Sequence, residues 1–253
     1  MSSLSGKRAL VTGGGSGLGA AIAHALADAG ANVIIAGRRM EPLEQTAAGS
    51  ERISGIVADM TDEGSVKALF DRIANDFGDL DIVVANAGTA ESAPFHRTGL
   101  DLWKKMLDVN LTGVFLTFQN ALPGMMKRKQ GRLVAVASTA GLKGYPYVSA
   151  YSAAKHGVVG LTKSLALELA ETGITVNAVC PGFTLTPMLE RSIDTITQKT
   201  GKSRDEAMAT LAGANPQKRF VRPEEVAEAV LYLCGFNSAS ITGQAISISG
   251  GEV

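Results

Sequence analysis

The chain has 253 residues, 45% hydrophobic and 19% charged, a composition that suits a folded protein large enough to close a core without disulfide or metal staples. Its 24 Lys+Arg balance 24 Asp+Glu, so no global field exists to recruit nucleic acid or an anionic membrane. No run approaches the ~18 apolar residues of a membrane span and no apolar leader opens the sequence, so a cytoplasmic protein is expected.

Short runs rich in Val and Ile, without strict polar alternation, recur at 8–12, 32–37, 53–58, 81–86, 132–138, 174–180 and 244–249. Strands buried on both faces read this way. Helical spacing of apolar residues falls between them, at 18–29, 63–77, 101–127, 150–171 and 223–234. The alternation predicts an α/β fold of Rossmann type: a doubly wound, mostly parallel seven-stranded sheet with helices on both faces, as one domain over 1–253.

Directly after the first predicted strand come Thr12, Gly13, Gly14, Gly15, Ser16, Gly17, Leu18 and Gly19, which open the first helix. Glycines let the backbone turn tightly and approach a pyrophosphate, and the helix N-terminus offers free N–H groups to that anion. A dinucleotide is therefore expected on Gly13, Ser16, Gly17, Leu18 and Gly19. The second strand ends in Arg38 and Arg39, where a carboxylate would otherwise hold a ribose 2′-OH. A guanidinium holds a 2′-phosphate in two-point contact, so the pair predicts NADP(H), with NAD(H) as the alternative if both arginines are solvated turn residues.

Further along, Ser138 ends the fifth strand. Tyr151 and Lys155 lie four apart on a predicted helix, hence on one face. A nearby ammonium lowers the pKa of a phenol, which can then serve as acid in reduction and base in oxidation. A strand-end hydroxyl can hold the substrate oxygen as charge develops on it. Cys180 and Cys234 have no metal-ligand spacing, so two buried thiols and no metal are expected. The polar segment 186–216, after a strand end, predicts a substrate lid; the plain alternative is a surface loop with two helices.

Taken together, these residues resemble the short-chain dehydrogenase/reductase family in its compact form. The resemblance runs from Gly6 to Gly251 and includes Asp59, Asn86-Ala87-Gly88, Val109-Asn110-Leu111-Thr112-Gly113, Tyr151-Ser152-Ala153-Ala154-Lys155 and Pro181-Gly182-Phe183-Thr184-Leu185-Thr186. It implies an oxidoreductase acting on CH–OH groups, with Tyr151 as acid/base. Lys155 would tune it and bind the nicotinamide ribose, and Ser138 would polarise the carbonyl. Asn110 would hold a water in a proton relay. Asp59 with its neighbour Met60 would line the adenine, and Asn86 and Gly88 the adenosine ribose. Pro181, Gly182, Thr184 and Thr186 would orient the carboxamide. Plain alternatives stand beside three of these: Asn110 capping or kinking its helix, Asn86 tying strands together, Thr186 capping the insertion. The family also implies a homotetramer.

The stretch 138–188 is similar to bacterial ketoreductases of β-keto thioesters, including polyketide ketoreductases, and 191–221 resembles the lid of D-3-hydroxybutyrate dehydrogenases. Those dehydrogenases carry His and Lys where this chain has Ala140 and Val148, which removes partners for a free carboxylate. With Leu142, Tyr145, Tyr147, Phe183, Leu185 and Met188 nearby, the expected substrate is a small-molecule ketone or 3-oxoacyl thioester reduced with NADPH. The alternatives are an NAD-dependent alcohol or 3-hydroxyacid dehydrogenase running in oxidation, and a non-catalytic dinucleotide binder.

Overall fold

A computed structural model describes residues 4–253. Its sheet has seven parallel strands in the order β3-β2-β1-β4-β5-β6-β7. These are β1 (Arg8–Thr12), β2 (Asn32–Gly37), β3 (Ile53–Val57), β4 (Ile82–Ala85), β5 (Gly131–Val136), β6 (Ile174–Pro181) and β7 (Ala245–Ile248). Successive strand residues enter opposite cores, as the period of two requires. Leu10, Val83 and Leu133 join one cluster, with Phe118 and Val158. Their neighbours Val11, Val84 and Val134 join the other, with Ile22 and Val230. Burial on both faces is why the strands read as continuous apolar runs.

The helices are α1 (Gly17–Asp28), α2 (Met40–Ala47), α3 (Glu63–Asp76), α4 (Leu100–Leu107), α5 (Gly113–Arg128), α6 (Ser149–Glu168), α7 (Pro187–Thr200), α8 (Arg204–Ala212) and α9 (Pro223–Cys234). Residues of α3, α5 and α6 fill the first cluster; residues of α1, α2 and α9 fill the second. The strand order reverses between β1 and β4, so a crevice opens at the carboxyl ends of those strands.

Two features depart from the sequence expectation. The single helix expected at 101–127 is α4 and α5 joined by a π turn, Asp108–Thr112. Asn110 sits in that wider turn, fully buried, and its amide donates to Met106 O (3.0 Å) and to Thr89 O (2.9 Å). The short helix α2 was not anticipated, because eight residues with Pro42 near the start are too few to show a helical apolar period.

The segment after β6 forms α7 and α8, and it has its own small core. Leu189, Ile193 and Ala207 pack with Phe183, Met208 and Phe220, separately from the two sheet clusters. Arg204 pairs with Glu190 and Asp194, holding α8 to α7. The segment reaches both rims of the crevice. At one side Thr186 and Pro187 lie against Gly17; at the other Lys199 Nζ donates to Ser92 O at 3.3 Å.

No helix among the described residues is long and apolar enough to cross a membrane.

Candidate active site

The glycine turn is closed against its neighbours by backbone proximity. A Cβ on Gly13 would lie 2.9 Å from Ala87 Cα, and one on Gly19 would lie 2.2 Å from Gly13 O. Gly13 and Gly17 also take positive φ, 66° and 52°, which favours glycine. Ser16 precedes α1 without capping it by its side chain, so the first N–H groups of α1 have no side-chain partner there. By contrast Asp62, Thr186 and Ser203 cap α3, α7 and α8. An extended turn with an uncapped helix start is a cradle for a phosphate.

Two side chains brace this cradle. Thr12 Oγ1 accepts from Asn86 N and Ala87 N, each at 3.0 Å. The Asn86 amide donates to Thr12 O (2.9 Å) and Gly13 O (3.3 Å). Asn86 thus ties β4 to the turn, and its N–H bonds face protein rather than a ligand.

Past the end of β2, Arg38 lines a cleft of about 390 Å³ with Thr61, Asp101, Lys104, Lys105, Asp108 and Val109. Three cations face two carboxylates there, and Lys105 is paired with Glu91. Arg39 precedes α2 and is not part of this lining. Asp59 accepts from Thr61 N (2.9 Å) and Thr61 Oγ1 (2.7 Å), and these bonds together with the Arg38 charge hold its carboxyl below the usual range against an opposing effect of burial. The Met60 side chain belongs to the core cluster, which leaves only its backbone for a ligand.

The proton-handling groups come from three elements. Ser138 follows β5, and its Oγ accepts from Ala140 N at 3.1 Å. Its hydroxyl also faces the Tyr151 phenol, on the first turn of α6, closely enough to favour the phenolate. One helical turn on, Lys155 is buried; its Nζ donates to Val136 O at 2.8 Å and lies 5.7 Å from the Tyr151 ring centre. Gly88 closes the roof: a Cβ there would be 2.9 Å from Asn110 Oδ1 and 3.8 Å from Lys155 Nζ. Gly141, in the turn after Ser138, packs against α6, where an added Cβ would meet Lys155 O at 2.6 Å.

The electrostatics differ from the sequence expectation in one respect. Tyr151 is raised, not lowered: burial outweighs the opposing hydrogen bond from Ser138. Burial also brings Lys155 down to about 8, which weakens the ammonium on which a phenolate would depend. Desolvation penalises every charge here. Cys180, behind the site on β6, is pushed up to about 11 by burial and remains a neutral thiol. Chemically, a phenol held protonated beside a serine hydroxyl can give a proton to an oxygen that both groups hold.

A family model described as short chain dehydrogenase matches residues 7–197. The chain belongs to the short-chain dehydrogenase family. Its relatives include D-beta-hydroxybutyrate dehydrogenase of Rhizobium meliloti (strain 1021), 39% identical, covering 97% of this chain and 98% of that protein. The granaticin polyketide synthase putative ketoacyl reductase 1 of Streptomyces violaceoruber is 41% identical, over 96% of this chain and 92% of its own length. Among solved structures, a variant of actinorhodin polyketide ketoreductase with NADPH superposes with a TM-score of 0.94 at 39% identity, covering 100% of this chain and 99% of that one. As a member of the family, this short-chain dehydrogenase is an oxidoreductase acting on CH–OH groups.

The substrate side of this short-chain dehydrogenase differs in part from expectation. Leu142 packs against the main core, and Phe183 against the small core of α7 and α8. Tyr147 and Leu185 are exposed at 66% and 45%. Thr186 caps α7 by accepting from Leu189 N, and Thr184 Oγ1 donates to Gly182 O at 2.9 Å. Sequence reasoning placed Thr12 in the glycine motif but missed its bracing of Asn86 and Ala87, and it missed Val136 O and Glu252 altogether; each acts through a partner distant in sequence. Both cysteines are buried free thiols. Among the described residues, no three His, Cys, Asp or Glu side chains group as a metal site.

Proposed function

We propose that this enzyme reduces an uncharged ketone or a 3-oxoacyl thioester to a secondary alcohol with NADPH, Tyr151 donating the proton. The observation that carries the reading is the meeting of Ser138, Tyr151 and Lys155 under Gly88, at the strand ends where the glycine turn also opens.

The residues fit a nicotinamide dinucleotide: Gly13 and Gly19 let the turn close tightly on Ala87 and on its own main chain, and α1 begins uncapped by a side chain, its first N–H groups open to a pyrophosphate. Gly13, Ser16, Gly17, Leu18 and Gly19 would hold the pyrophosphate. Arg38, with Arg39 beside it, would hold the 2′-phosphate. Asp59 and the Met60 backbone would meet the adenine, Asn86 and Gly88 the adenosine ribose, Tyr151 and Lys155 the nicotinamide ribose, and Pro181, Gly182, Thr184 and Thr186 the carboxamide. When bound, the dinucleotide supplies the hydride.

The chain's own residues supply the rest. Ser138 and Tyr151 hold the carbonyl oxygen, which gains negative charge as the carbon is reduced. Tyr151 then gives its proton to that oxygen, and its raised pKa keeps it protonated at neutral pH, as an acid requires. The Lys155 ammonium and the Ser138 hydroxyl stabilise the phenolate left behind until solvent reprotonates it. Asn110 uses both amide hydrogens on Met106 and Thr89, so its contribution is to hold the π turn against the loop after β4. The α7–α8 segment, with its separate core and its reach from Gly17 to Ser92, serves as the lid. Exposed Phe115 on α5 and Leu167 on α6 suit a homotetramer.

The test is a steady-state screen of aryl ketones, β-keto esters and acetoacetyl thioesters with each reduced cofactor, alongside fluorescence titration. NADPH is expected to bind more tightly than NADH, and Arg38→Ser to erase most of that difference, about tenfold. Tighter NADH binding by the native enzyme would overturn the cofactor assignment. A second reading, oxidation of a 3-hydroxy acid as in the Rhizobium relative, lacks support in Ala140 and Val148, which offer a carboxylate no cation.

A further inference from the structure

Beside the proposed reductase centre lies a buried carboxylate, paired with a partly exposed lysine, that the mechanism does not use. Glu252, in the segment after β7, has a side chain only 2% exposed. Its Oε1 accepts from the Tyr145 hydroxyl and from Lys143 Nζ, the latter at 3.0 Å. Its Oε2 is buried without a hydrogen-bond partner, 3.4 Å from where a Cβ of Gly182 would stand. A carboxylate can only accept, so Tyr145 donates to Glu252, and the Thr139 hydroxyl, 2.7 Å away, donates to the phenol oxygen. Thr139 is the residue after Ser138, and the Tyr145 ring meets Phe183 edge-on at 6.1 Å. The carboxylate therefore bridges the loop after β5 and the segment after β6, the two stretches that flank the proton-handling groups. A half-satisfied buried carboxylate destabilises a fold relative to an apolar residue of similar size.

We propose that Glu252 is a positioning and specificity residue. It fixes Tyr145 against Thr139 and so sets the aromatic wall, Tyr145 with Phe183, that receives the ketone's larger substituent. The proposal rests on the reductase reading, and it assigns Glu252 no contact with the reacting atoms.

The test compares Glu252→Ala, Glu252→Gln and Tyr145→Phe in the full-length enzyme with NADPH, using an aryl ketone and a small aliphatic ketone. Glu252→Ala is expected to raise KM for the aryl ketone about fivefold, with kcat and KM for the small ketone within twofold and NADPH affinity unchanged. Glu252→Gln, which keeps an acceptor for Tyr145, should recover most of that loss. The Glu252→Ala/Tyr145→Phe double variant should be no worse than the worse single one. An unmoved KM, additive effects, or equal losses for both ketones with lowered Tm would overturn the assignment. Should Glu252→Ala fail to fold, Tyr145→Phe, which removes one oxygen, reads the same KM split. A native enzyme inactive on every ketone would overturn both readings; an active one with unmoved KM overturns this one alone.

Discussion

The two sides of the crevice are built differently. On the side proposed for the dinucleotide, recognition would rest on backbone: a turn of glycines, an uncapped helix start, and strand ends braced by Thr12 and Asn86. On the side proposed for the substrate it would rest on side chains that meet from distant parts of the chain, such as Tyr145, Phe183 and Glu252. The first design leaves almost no room for substitution, since a methyl group collides with main chain. The second can change one residue at a time. A fold that keeps one cofactor and varies its substrates needs this asymmetry.

The sharpest way to break the comparison is at the junction of the two sides. Tyr151→Phe removes one oxygen and should lower kcat by about 10³-fold or more, with NADPH affinity little changed, as read by single-turnover kinetics and titration. Near-normal turnover would end the acid/base assignment. Next in size, Gly19→Ala places a Cβ 2.2 Å from Gly13 O, so the turn must open. NADPH affinity should fall about 100-fold, and an unchanged Kd would show that the turn is not backbone-built.

Lys155→Met addresses the ammonium between the sides. Because the folded pKa is depressed to about 8, the folded state penalises the charged lysine; that penalty is complete below pH 8 and fades as pH rises toward the unfolded value. The variant should therefore be inactive yet more stable at pH 7, by about 3 kcal/mol, with the gain shrinking by pH 10 in urea unfolding. In the native enzyme, reductase turnover should fall as pH passes about 8, where the lysine loses its charge. Smallest of all, Leu185→Ala, at a residue 45% exposed, should move kcat/KM less than about threefold, mostly through KM. A loss comparable to that of Gly19→Ala would show the substrate side to be as rigid as the other.

What was legible in the sequence follows the same division. Strands buried on both faces, the glycine turn and the Tyr151–Lys155 spacing are local patterns, and each forms where the pattern placed it. The π turn was legible only as the alternative that Asn110 kinks its helix, because the bond that holds Asn110 reaches Thr89, in a different loop. The expected lowering of Tyr151 did not hold in the folded protein, because the sequence shows the lysine but not the burial that opposes it. Asn86 and Thr186 each bond protein atoms, one as a strand tie and the other as a helix cap, besides the cofactor roles proposed for them, a second duty that spacing alone left open. Glu252 gave no local signal at all, since its partners lie about a hundred residues away.

The separate packing of Leu189, Ile193 and Ala207 has an evolutionary consequence. A stretch that carries its own hydrophobic nucleus can be grafted between relatives as a unit, without renegotiating the interior of the scaffold. Swapping 183–220, which holds all of that nucleus and the α7 cap, with the matching piece of a paralogue should therefore yield folded chimeras, and new substrate ranges would arise by recombination as readily as by point substitution.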